Sequence, residues 1–124
     1  MDEKVLVQKI KKEYESPIEI ALKYYSIILK LNNIPIPNRE LELLAFIAVR
    51  GTISSPSARD EFIKQFQSTP GTINNMISKL SKLKLITKEN SKYRVAFPYN
   101  KVDFKSKHYV FNITIKLKGN DTTE

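Results

Sequence analysis

Between Pro70 and Lys84 the chain sets Gly71, Asn75, Ser78 and Lys82 at helical spacing along one side, flanked by Thr72, Asn74 and Lys79. These are short hydrogen-bonding groups interleaved with cations, the types needed to read base edges and neutralise phosphates. The other side of the segment carries Ile73, Ile77 and Leu80 at i, i+4 and i+7, widened by Met76 and Leu83, so a core anchors it and the polar side faces outward. Thr69 and Pro70 form a helix start, a capping hydroxyl followed by proline at the first helical position. Leu85 and Ile86, a polar turn from Glu89 to Lys92, and Tyr93, Arg94 and Val95 then read as a short β-hairpin.

Other chemistries find few residues. With no cysteine in the chain, disulfides, thiolate metal sites and cysteine nucleophiles are excluded together, and one histidine cannot build a histidine-rich metal site. His108 has no nucleophile motif to serve and reads as an ordinary strand residue. Asp60 with Glu61 and Glu40 with Glu42 read as first-turn acids that complement helix N-termini, not as an acid/base pair. Glycines at 51, 71 and 119 cannot form a phosphate-cradling loop. The expectation is a protein without catalysis and without a cofactor. No apolar run approaches the roughly 20 residues of a membrane span, the start does not resemble a signal peptide, and the composition fits a reducing cytoplasm.

The net charge is +8, and its location is informative. Residues 79–118 hold eleven Lys/Arg against two acids, whereas residues 1–78 hold ten against nine. The excess begins within the polar-faced helix and continues through the hairpin and the C-terminal region, the footprint of a polyanion partner.

At 124 residues the chain supports one core. Val5 to Tyr14 suits either a short strand or a frayed helix. Ser16 and Pro17 open a helix to about Leu31 with Ile18, Ala21, Leu22, Tyr25, Ile28 and Leu29 on one face and Ile20, Tyr24, Ile27 and Leu31 on the other. Such a helix needs burial on two sides, and the second set is the expected oligomer contact, or else lies under the C-terminal strand. An extended connector, residues 32–37, leads to Asn38, the expected cap of a helix from Arg39 to Arg50 whose core face is Leu41, Leu44, Ala45, Ala48 and Val49, ended by Gly51. Thr52 to Ser54 reads as a minimal strand. Ser55-Pro56 or Ser57 starts a helix from Ala58 to about Gln67 with Phe62, Ile63 and Phe66 inward. Residues 98–107 form a basic loop in which Tyr99 and Phe104 are expected to pack on the core; the alternative is that they lie against sugar or base while Lys101, Lys105 and Lys107 meet phosphates. Residues 108–117 alternate strictly as a half-buried strand that must pair with the hairpin, with Val5 to Ile10 or with another subunit. The fold class is α+β and mainly helical, with residues 1–37 as an N-terminal helix and connector and residues 98–124 as loop, strand and tail.

The order helix, short strand, helix, turn, helix, hairpin over residues 38–97 resembles the winged helix-turn-helix superfamily. The phrase Thr72 to Leu80, followed by Leu83-Lys84-Leu85-Ile86, is similar to that superfamily's common passage from recognition helix into wing. The resemblance implies that Pro70 to Lys84 enters a major groove of double-stranded DNA and that Leu85 to Phe97 touches the adjacent backbone. Thr72, Asn74, Asn75, Ser78, Lys79, Lys82 and Lys84 would make the helix contacts, and Lys92 and Arg94 the hairpin contacts. No arginine lies on the outward helix face, so Asn74 or Asn75 would read adenine and the site would be A·T-rich or loosely specified. Transcriptional regulation, replication initiation and phage DNA handling are the roles implied. The alternative is a non-catalytic winged helix that docks protein within a phage particle or replication assembly.

Overall fold

A computed structural model describes residues 16–104. The readings of Val5 to Tyr14, of strand 108–117 with His108, and of Lys105 and Lys107 lie outside the described residues. Within them the protein is α+β and mainly helical: α1 (Pro17–Leu31), α2 (Asn38–Arg50), α3 (Pro56–Phe66) and α4 (Pro70–Lys82), followed by the antiparallel strands β1 (Ile86–Glu89) and β2 (Lys92–Val95).

Local sequence accounts for most of the boundaries. Ser16, Ser55 and Thr69 each accept a backbone N–H through the side-chain oxygen, and each is followed by proline at the first helical position, so three of the four helices begin with one device. The start of α2 differs from the sequence expectation: Pro37 occupies the cap position, Asn38 is already helical, and no side chain caps the end. Instead Arg39 of the first turn donates to the carbonyls of Phe66 (2.6 Å) and Gln67 (3.2 Å), placing a cation at the C-terminus of α3 where the helix dipole favours it. Gly51 ends α2 at φ 100°, left-handed backbone that glycine adopts without strain. The end of α4 is a Schellman turn. Lys84 takes φ 60° and donates to Ser81, while Leu85 donates back to Leu80, and both leucines are fully buried.

Among the described residues, helix α2 is the element that contacts most of the others, namely α1, α3, α4 and β2. The expected stripe of Leu41, Leu44, Ala45, Ala48 and Val49 understates it, because five consecutive residues from Leu43 to Ile47 are buried while Leu41, Ala48 and Val49 are only half-buried. A helix surrounded by partners has no solvent face for periodicity to reveal. Ala21, Tyr25 and Leu29 of α1 pack on one side. Phe62 of α3 stacks edge-on against Phe46 and lies tilted against Phe66, and Ile73, Met76, Ile77 and Leu80 of α4 close another side. The expected inward position of Leu83 is not met: it stands past the last turn of α4 and is 45% exposed.

Two further expectations change. Residues 52–54 form no strand; Ile53 is fully buried, and Ser54 is tied to the hairpin through its hydroxyl, which accepts from the Tyr93 N–H at 2.8 Å. One side-chain bond replaces the ladder that three residues would have supplied. Because α3 starts at Pro56, Asp60 and Glu61 lie beyond its first turn, and Glu61 pairs with Arg50 of α2 at 2.9 Å.

The hairpin pairs Ile86 with Val95, Thr87 with Arg94, Lys88 with Tyr93 and Glu89 with Lys92. Asn90 and Ser91 both take positive φ, the two-residue turn whose twist matches that of the flanking strands. Buried Ile86 and Val95 fasten the base of the hairpin to the core. After it, Phe104 is buried and Tyr99 half-buried on the core cluster, as expected for the aromatics of the basic loop. The Tyr25 hydroxyl donates to the Tyr99 carbonyl at 2.7 Å, joining α1 to this segment.

Candidate nucleic-acid interface

Helix α4 is held by its apolar stripe, so its outward side is set rigidly. Gly71, Thr72, Asn74, Asn75, Ser78, Lys79 and Lys82 are all exposed, as are Lys84, Lys92 and Arg94. From Pro70 to Val95 there are six cations against the single acid Glu89. The surface therefore offers amide and hydroxyl groups on a scaffold helix, with positive charge concentrated at that helix's C-terminal end and along the hairpin.

Not every one of these side chains is free. Lys79 Nζ lies 3.4 Å from a carboxylate oxygen of Glu40, whose side chain is 7% exposed in the first turn of α2. The cation expected to meet phosphate thus also compensates a buried acid. Asn74 Oδ1 accepts from Arg59 Nη1 at 2.8 Å, and Arg59 Nε donates to the Ile53 carbonyl at 3.1 Å. Among the described residues no partner of the Asn75, Ser78, Lys82 or Lys84 side chains is seen. In the hairpin, Lys88 Nζ stands 5.4 Å from the centroid of the Tyr93 ring. Arg94 shares a shallow cleft of about 230 Å³ with Glu89, Tyr25 and Asn100, on the side of the hairpin towards α2.

The sequence did not single out Arg59, and it took Glu40 for a dipole acid. Both carry a signal in hindsight: Arg59 falls on the apolar side of its helix with Phe62, Ile63 and Phe66, and Glu40 on that of Leu44 and Ile47. A charge at an apolar position requires a partner across a helix–helix seam.

Gly71 has nothing within 4 Å of the position a Cβ would take, and its backbone is ordinary helix. A sharp bend therefore does not account for this glycine.

On α1 the expected contact residues divide. Ile20 and Tyr24 pack partly against the core, Tyr24 with its ring edge-on to Phe104 at 5.7 Å; Ile27 is half-buried and Leu31 is 48% exposed. Burial pushes the phenols of Tyr25 and Tyr24 above their ordinary value, with Tyr24 adding to the rise at Tyr25 and Tyr99 to that at Tyr24. No cluster of three or more metal-ligating side chains occurs among the described residues, and none of their helices is long and apolar enough to cross a membrane.

No protein-family model matches this chain, and no curated protein or solved structure matches it either.

Proposed function

We propose that this protein binds double-stranded DNA as a winged helix-turn-helix, with α4 in the major groove and the β1–β2 hairpin as the wing against the adjacent backbone. The observation that carries the reading is the division of α4: Ile73, Met76, Ile77 and Leu80 are buried while Thr72, Asn75, Ser78, Lys79 and Lys82 stand outward on the same rigid helix. The succession α2, α3, α4 and hairpin also supports it, as does the charge, which rises where α4 ends. Asn75 is the side chain best placed to read a base, and Lys82, Lys84 and Lys92 to meet phosphates. Transcriptional regulation, replication initiation or phage DNA handling are the settings in which such a module serves.

The test is the salt dependence of binding to random duplex DNA. Replacing Lys79, Lys82 and Lys84 together with glutamine is expected to flatten the slope of log K against log salt by up to about 2.7, since each lost phosphate contact removes about 0.9. A slope unchanged by the triple replacement removes α4 from the interface. Two copies joined through Ile27 and Leu31 would present two α4 helices to half-sites about one helical turn apart. Sedimentation of an Ile27→Glu, Leu31→Glu variant tests that arrangement: a folded monomer supports it, and an unaltered oligomeric state refutes it.

A further inference from the structure

The outward face of α4 carries no arginine, yet a guanidinium reaches it from the neighbouring helix. Arg59 of α3 is held at two points, through Nε on the Ile53 carbonyl and through Nη1 on Asn74 Oδ1. A guanidinium has five N–H donors and no acceptor, so the amide oxygen of Asn74 must be the atom turned towards it. That leaves the amide Nδ2 of Asn74 and the remaining N–H groups of Arg59, including both on Nη2, with no protein acceptor among the described residues. The pair presents donors and a full positive charge, and among the described residues no carboxylate forms an ion pair with Arg59; Glu40, the acid that reaches α4, is paired with Lys79.

We infer that Arg59 and Asn74 form a single donor unit that grips a phosphodiester oxygen of duplex DNA beside the first turns of α4. The inference rests on the proposed DNA-binding reading and extends it to α3. A phosphate oxygen takes several donors at once, and a planar guanidinium fixed by two prior bonds loses little side-chain freedom on receiving one. The pair would position the helix on the duplex and carry no sequence information, because phosphate contacts are common to all sequences. Asn74 is thereby drawn from base reading into backbone contact, and adenine recognition falls to Asn75.

Three single variants of the whole chain, each measured with random duplex DNA over a range of salt, test the assignment. Arg59→Gln removes the charge, and the slope of log K against log salt is expected to flatten by about 0.9. Asn74→Asp keeps Arg59 but sets a carboxylate against it; the slope should flatten by a similar amount while the melting temperature is held or raised. Arg59→Lys keeps the charge and should keep the slope, yet weaken binding to every sequence alike, since one ammonium cannot span Ile53 and Asn74. A merely structural strut would lower the melting temperature of Arg59→Gln without moving any slope. An unchanged slope in either Arg59→Gln or Asn74→Asp overturns the inference, and leaves the DNA-binding reading standing where the triple lysine variant has flattened its own slope. Absence of salt-dependent binding by the unaltered chain overturns both.

Discussion

Gly71 occupies the second position of α4, where the fold makes no use of its missing side chain. Its backbone is ordinary helix and a Cβ there would enter open space. Gly71→Ala is therefore expected to stabilise the fold by about 0.5–1 kcal/mol, because alanine restricts the unfolded chain and is the better helix former. For a domain of this size that corresponds to a rise of roughly 2–5 °C in melting temperature, read by circular dichroism. Binding should move the opposite way. If the first turn of α4 approaches the duplex closely enough for backbone contact, a methyl group at 71 holds it off, and affinity for duplex DNA falls at least about tenfold, equivalent to about 1.4 kcal/mol. Opposed signs on stability and affinity are hard to obtain from a residue that serves the fold alone. A variant that melts higher and binds DNA as tightly as the parent would refute a close approach at Gly71. One that melts lower would refute the local reading of the helix start.

Asn75→Ala should relax base preference by about 1–3 kcal/mol while nearly sparing random DNA, and equal losses on cognate and random duplexes in competition titrations would deny it a reading role. Glu40→Gln should free Lys79 for phosphate; with that lysine mostly in solvent the pair is worth about 1 kcal/mol, so affinity for random DNA is expected to rise roughly fivefold, and an unchanged or weaker affinity would show that Lys79 does not face the duplex. Tyr25 holds a proton more firmly folded than unfolded, so its contribution is complete below the unfolded value near pH 10 and is lost as pH rises above it. Tyr25→Phe should cost about 1 kcal/mol at pH 8 through the lost bond to the Tyr99 carbonyl and should melt with a shallower decline above pH 10; parallel alkaline curves for parent and variant would contradict this.

Helices with one wet side were legible in the sequence. The bounds of α1 matched the expectation, and the Thr69-Pro70 start held because cap and proline act within a single turn; of the two starts open for α3, Ser55-Pro56 is the one used, which begins the helix two residues before the expected Ala58. Helix α2 was under-read because its surroundings, not its own periodicity, bury Leu43, Phe46 and Ile47. Residues 52–54 are long enough to read as a minimal strand, but their link to the hairpin is made by one Ser54 hydroxyl, a contact no local pattern encodes. The outward row of α4 was readable as the complement of its apolar stripe. The ties that restrict that row, Glu40 to Lys79 and Arg59 to Asn74, span 39 and 15 residues and arise only when α2 and α3 pack beside α4.

The central claim, that α4 and the hairpin form the face laid on DNA, is tested most directly by mapping backbone amide shifts of the labelled protein on titration with a short duplex. The largest changes are expected at residues 71–82, with smaller ones from Thr87 to Arg94 and little movement in α1. Changes centred on α1, or none in α4 at saturating duplex, would contradict it.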